Sequence, residues 1–335
     1  MKLIAAFIIA AVLLFAASPA IAQSTYLTVI VGLSGDPEHA ELFQRWASTL
    51  VEASGRLGVG SDHMTFLSET GSEKGVTGKS TKDAITKAFD ALAKASEEDV
   101  VFVMLIGHGS FDGKVAKFNL PGPDMTPADF EPLLKRLRSK HIVFVNASSA
   151  SGPFVEALAA PGRTIVAATR NGSERFATLF GGYFVDALAG NEADADKNRR
   201  ISVLEAFNYA KREVGLAYEH EGIMLTEHPI LSDDGEREGT QTPSADGKQG
   251  RVAAVVSLGT AEAGDALPTD PKLRALYLER RDIERRIEAL KLLKESMEPA
   301  RYTGELEKLA TELALKTRQI KELEAGKTSR ESETP

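Results

Sequence analysis

The sequence predicts an α/β fold: a mostly parallel sheet with helices on both faces, followed by a C-terminal α-helical hairpin or short coiled coil. Three observations carry this. From residue 23 to about 235, apolar runs of strand length alternate with amphipathic helical stretches. The strand runs, Val100–Ile106 (VVFVMLI) above all, are continuously apolar, as strands covered on both faces must be. After residue 270 a seven-residue apolar period takes over.

Taken in order, residues 1–22 read as a cleavable leader. Lys2 supplies the positive start, residues 3–17 are apolar, and Ala20-Ile21-Ala22 is a small-x-small cleavage pattern. An apolar run of about 15 residues is shorter than the ~20 that cross a bilayer as a helix. The expected setting is secreted or periplasmic, with no stable membrane span after cleavage. The α/β domain is placed at 23–262. Its first strand is 26–33 (YLTVIVGL), followed by an amphipathic helix around 38–53 that carries Trp46. A short strand at 64–67 leads into a polar, Gly-rich loop at 71–79, then a helix at 81–95. Strand 100–106, helix 126–138, strand 142–145, helix 154–159, strand 164–168 and helix 175–189 complete the alternation. Residues 233–250 are rich in Gly, Ser, Asp and Glu and read as a loop or linker. The run 251–258 (RVAAVVSL) reads as one more strand. Beyond it, residues 270–335 hold 15 Lys/Arg and 14 Asp/Glu. Leu276, Ile283, Leu290 and Met297 recur every seven residues, as do Leu306, Leu313 and Ile320. Pro299 and Gly304 fall between the two series. The hairpin is placed at 270–325, with 326–335 a frayed tail, and its apolar seam offers a surface for self-association.

Composition excludes several function classes. With 40 Lys+Arg against 48 Asp+Glu the net charge is −8, so no basic surface is available to track a phosphate backbone and no nucleic-acid partner is expected. There is no cysteine, hence no disulfide framework, thiolate metal site or cysteine nucleophile. Gly78-Lys79-Ser80 invites a phosphate-loop reading, but the glycine required five residues before Gly78 is Glu73. Helix capping by Ser80 or Thr81, with Asp83 in the first turn, accounts for the stretch better.

The strongest constellation joins two strand ends. One runs into Gly107-His108-Gly109 and the other into Asn146-Ala147-Ser148-Ser149-Ala150-Ser151-Gly152. Ligands of open parallel sheets sit at the carboxyl ends of strands, so both turns lie on the functional edge. Gly107 and Gly109 allow close backbone approach and offer N–H groups to an oxyanion. A strand ending in His-Gly, followed about 40 residues later by a strand ending in x-x-Cys-x-Ser-Gly, resembles the caspase and legumain-type cysteine peptidases. Residues 101–109 (VFVMLIGHG) and 142–152 (IVFVNASSASG) carry that resemblance, with the first strand and 165–169 (IVAAT) in keeping with it. It covers roughly residues 25–215. The resemblance implies a three-layer caspase-like domain, a dyad at His108 and Ser149 (alternatively Ser148), and a pocket edged by Arg170 and Glu174 in the loop after the next strand.

The decisive position departs from the family: it holds serine. A hydroxyl is far less acidic than a thiol and needs a base that is itself oriented by a third group. Asp112 and Asn146 are the candidates nearest in sequence to orient His108. The expectation is therefore a peptidase homologue without catalysis, acting by binding a peptide or protein. The alternative is a serine hydrolase using Ser149 with His108. An α/β-hydrolase order of Ser149, Asp186 and His228 is a further competitor, although the flanking glycines of its elbow are absent. No cofactor is required for these readings. Calcium is a candidate ligand, because Asp194, Asp196, Asn198 and Glu205 stand at positions 1, 3, 5 and 12 of an EF-hand-like loop whose sixth residue, normally glycine, is Arg199.

Overall fold

The computed structural model describes residues 23–259, 270–294 and 297–331. The leader expected at 1–22 and the junction at 260–269 lie outside the described residues. Strand β1 (Thr25–Val31) leads into helix α1 (Pro37–Arg56), whose N-cap Asp36 accepts the His39 N–H at 2.9 Å. Next come β2 (Met64–Ser68), the two-residue strand β3 (Gly78–Lys79) and α2 (Lys82–Leu92), capped by Thr81. The Gly-Lys-Ser stretch is thus an edge strand and a helix cap. Strand β4 (Val100–Ile106) is followed by a ribbon, β5 (Gly109–Phe111) and β6 (Ala116–Phe118), then α3 (Pro127–Lys135) with a Thr126/Asp129 capping box. Strand β7 (His141–Asn146), α4 (Gly152–Leu158), β8 (Arg163–Ala167), α5 (Phe180–Ala189), α6 (Val203–Glu221) and β9 (Ile230–Ser232) complete the alternation.

The seven-stranded sheet has the order β3-β2-β1-β4-β7-β8-β9, parallel throughout except for β9, which runs antiparallel to β8. Two apolar clusters cover its faces. Phe102, Met104 and Ile106 of β4 join Phe43 and Leu50 of α1, Phe180 and Phe184 of α5 and Phe207 of α6. Val101, Val103 and Leu105 point the other way, toward Phe89 of α2, Phe130 of α3 and Phe154 of α4. Side chains alternate along a strand, so a continuously apolar run is what a sheet between two helical layers demands. This is the three-layer, caspase-like α/β architecture expected from the sequence.

Three expectations require correction. Residues 251–258 are not a strand: Arg251–Val255 form a short helix, α7, and only Ser257 makes a sheet-like bridge, to Ser202. The buried Asp233 explains it, since its carboxylate accepts the N–H groups of Gly250 and Ala253 at 2.8 and 2.9 Å and so starts a helical turn. Strand β9, which sequence reading missed, occupies the sheet position instead. The helix expected from 175 begins only at Phe180. At the C-terminus, α8 (Pro271–Leu292) and α9 (Pro299–Glu331) form the hairpin, but Gly304 lies inside α9 and not between the helices; of the tail expected at 326–335, residues 332–335 lie outside the described residues. Glu298 fixes the start of α9 by accepting the N–H groups of Ala300 and Arg301. The two helices pack antiparallel: Tyr277 donates to Glu324 at 2.6 Å, Lys316 pairs with Glu279 at 2.5 Å, and Leu290 clusters with Leu309.

Candidate functional site

Strands β4 and β7 are hydrogen-bonded neighbours, with Leu105 opposite Asn146, so their carboxyl ends emerge side by side. The register brings the His108 turn and the serine turn together through Gly109. Ser149 Oγ accepts the Gly109 N–H at 3.2 Å and donates to the Gly109 carbonyl at 3.1 Å. Only glycine fits there: a Cβ on Gly109 would overlap the Ser149 carbonyl oxygen and come within 2.7 Å of Ser148 Oγ. Gly107, the other glycine of the turn, packs against Gly32 at the exit of β1. The Gly109 N–H, expected to serve an oxyanion, is engaged by the serine hydroxyl.

Neither serine is open to solvent; Ser149 is 3% exposed and Ser148 fully buried. Ser148 donates to Asn146 Oδ1 at 2.7 Å, which also accepts the Ser148 N–H. The next residue, Ala150, takes a left-handed backbone conformation at φ 53°, a strained state for a residue with a Cβ. Its N–H donates to the Glu174 carbonyl at 2.7 Å, which ties the serine turn to the loop after β8.

The half-buried His108 imidazole faces the exit of β1 and the start of α1. Its ring lies 4.8 Å from that of His39, edge-on, and 5.2 Å from that of Phe43. His39 is in turn held by Asp36, Nδ1 to Oδ2 at 2.7 Å. Burial, followed by the neighbouring His39, holds the His108 pKa below the ordinary imidazole value, while the Ser34 backbone and Asp36 pull it back up. The ring's surroundings are thus Ser34, Asp36, His39 and Phe43. Asp112 caps an exposed turn through the Lys114 and Val115 N–H groups, and Asn146 serves Ser148. Among the described residues no hydrogen bond joins His108 to Ser149.

A second histidine has a carboxylate partner. His228 Nδ1 lies 2.8 Å from Glu174 Oε1, and Glu174 Oε2 accepts the N–H groups of His228 and Arg170. The Asp186 expected beside His228 is elsewhere, on α5, where burial and the nearby Glu192 raise its pKa. Adjoining this pair is Glu227, 2% exposed, whose two oxygens accept the N–H groups of Leu179 and Phe180 at the start of α5. Burial pushes its pKa up to about 7, with Glu174 adding to the rise and the two N–H donors opposing it. These bonds cap the start of α5 and tie residues 174–180 to Glu227 and His228. Segments 174–180 and 223–228 each expose apolar side chains: Phe176 is 71% exposed on one, and Met224, 84% exposed, follows the exposed Ile223 on the other. Arg170 lines a separate open cleft of about 920 Å³, bounded by Gly152, Pro153, Asn171 and the loop 236–242.

The acidic loop forms a compact oxygen-rich turn. Carboxylate oxygens of Asp194, Asp196 and Glu205 lie within 4.8 Å of one another. Asp194 accepts the N–H groups of Asn198 and Arg199, and Glu205 accepts those of Ala195 and Asp196. Arg199 stands at φ 66°, the left-handed conformation that glycine otherwise supplies. Burial raises the Asp196 pKa, and Glu205 and Asp194 add to it; a divalent cation would relieve that crowding. Asp194, Asp196, Asn198 and Glu205 are the residues that could hold one.

The seven-stranded sheet, with a histidine turn after β4 meeting a Ser-x-Ser-Gly turn after β7, has the arrangement that the resemblance to the caspase-like peptidases implies. Residues 74–229 match the Peptidase C13 family, so this part of the α/β domain is similar to the legumain-type peptidases. Among solved structures, one from Geobacter sulfurreducens, a structural-genomics target, is similar at 12% identity and a TM-score of 0.40, over 62% of this chain and 92% of that one. No curated protein matches the sequence.

Proposed function

We propose that this chain is a non-catalytic legumain-like peptidase homologue that binds peptide or protein segments at the rim of its former active site. One observation carries the loss of catalysis: the Ser149 hydroxyl is buried and tied to both backbone groups of Gly109, while the His108 ring packs against His39 and Phe43. A serine nucleophile needs a base within about 2.6–3.2 Å and a path to substrate. The exposed Phe176 and the cleft beside Arg170 supply contact surface for a ligand. The apolar leader supports export, in the periplasm or beyond the cell. Among the described residues no helix is long and apolar enough to cross a membrane.

The competing reading, a serine hydrolase using Ser149 with His108, gains from a different histidine: Glu174 orients His228 as an acid orients a catalytic base, and its carbonyl holds the residue next to Ser149. A fluorophosphonate probe separates the two. The expected result is no labelling of the wild type. Labelling abolished by Ser149→Ala and retained in Ser148→Ala would establish a hydrolase, and loss in either His108→Ala or His228→Ala would identify the base. For binding, peptides selected on the wild type should lose affinity for Phe176→Ser by about tenfold, the worth of a buried aromatic contact.

Calcium belongs to this reading as a structural ligand of the 194–205 loop. Calcium at about ten times its Kd stabilises a protein by about 1.4 kcal/mol, or roughly 3–6 °C in Tm for a domain of this size. Millimolar calcium should raise Tm by that much and Asp194→Asn should abolish the rise; an unchanged Tm in the wild type removes calcium from the account.

A further inference from the structure

The hairpin carries more apolar surface than its two helices bury. Leu309 and Ile320 of α9 are buried against α8, with Leu306, Leu313 and Leu323 packed beside them. A helix turns about 100° per residue, so Ala310, Ala314 and Thr317 fall roughly a quarter turn away from that line. There they form the floor of an open, mostly apolar groove of about 670 Å³, walled by Leu306 and Leu313, reached from α8 by Ile287, and closed at one end by Arg318 and Lys321. One neighbour covers one stripe of a helix. Helix α9 has two adjoining stripes, the pattern of a helix with neighbours on two sides, as in a four-helix bundle.

We infer that this groove is the contact surface between two copies of the chain, their α9 helices packed antiparallel about a two-fold axis near Leu313. The groove and its flank carry opposite charges at opposite ends, Glu307 at one and Arg318 with Lys321 at the other, which an antiparallel copy would match. Alanines at 310 and 314 let two helix backbones approach closely, and antiparallel pairing sets Ala310 of one copy against Ala314 of the other and Leu306 against Thr317. Glu307 and Arg318 lie on the same outer flank of the groove, about three turns apart. The same two-fold axis therefore places Glu307 of each copy opposite Arg318 of the other, forming the pair twice. Arg318 is 77% exposed here and bonded to Glu322 one turn on, a contact it can exchange at little cost. Isologous contacts of this kind close on themselves and stop at two copies.

The test is sedimentation equilibrium on the purified protein across a concentration series. A monomer–dimer equilibrium is expected. Ala310→Glu with Ala314→Glu should leave a monomer with unchanged helix content, because glutamate is a good helix former at exposed positions. Glu307→Arg and Arg318→Glu should each weaken the dimer by about tenfold in Kd, through like charges facing across the axis, and the double reversal should restore it. Sedimentation as a monomer up to about 100 µM overturns the inference. So does a dimer indifferent to the alanine substitutions, or one that the double reversal fails to rescue.

Discussion

Replacing Gly109 by alanine should lower stability by about 3 kcal/mol or more, which in a domain of this size is a fall of roughly 6–12 °C in Tm. The new methyl group would meet the Ser149 carbonyl oxygen, Ser148 Oγ and the Lys117 carbonyl oxygen together. Two of these three atoms belong to the backbone, so no rotamer change relieves the contact. The strand ends must part, and the two hydrogen bonds between Ser149 and Gly109 go with them. Thermal unfolding of the variant measures the effect. A Tm within a degree or two of the wild type would mean that the two turns are not locked together, and would weaken the case for a sequestered hydroxyl. Ser149→Ala is the companion variant. It removes the side-chain bonds without adding bulk and should cost only about 1 kcal/mol.

A second large effect concerns pH. Glu227 titrates at about 7 in the folded chain against 4.5 in the unfolded one. A raised carboxyl pKa means that the folded state holds its proton more tightly. The associated stability is fully present below pH 4.5 and is lost as pH rises to 7 and beyond. The difference amounts to about 3 kcal/mol across that window. Glu227→Gln carries no titrating proton, so the stability of the wild type relative to this variant should fall by about that amount between pH 4.5 and pH 8. The variant also sets an amide N–H₂ against one of the two N–H donors of α5, a roughly pH-independent cost of about 1–3 kcal/mol. Denaturant unfolding of both proteins at pH 4.5, 6 and 8 gives the comparison. Parallel curves would show that Glu227 is not the titrating group.

The two-layered covering of the sheet was legible because it depends on a property every residue of β4 shows: apolar character on both faces. The expected bounds of that strand coincide with the observed ones. The run at 251–258 was misread for the complementary reason. A short apolar stretch has no period long enough to separate strand from helix, and what decides it is Asp233, a cap supplied from outside the run. Strand β9 has three residues and follows Pro229, too little signal to find. At the site, the histidine and serine turns could be located from strand endings alone. Their side-chain partners could not. Asp36 and His39 belong to a helix start whose capping role is local, and only the packing of α1 on the sheet brings them to His108. Glu174 and His228 are linked across 54 positions with no periodicity to announce them.

The margins of the sheet limit how a ligand can be gripped. On one side β3 is two residues long. On the other, Leu231 of β9 exchanges both of its backbone hydrogen bonds with Thr240. A peptide that docks by adding a strand needs a row of open backbone donors and acceptors, and neither border of this sheet provides one. The same closure protects the chain from edge-to-edge aggregation. On the proposed function, a ligand at the rim would be read through its side chains, so recognition would depend on the identity of a few residues, with little affinity for an arbitrary extended backbone.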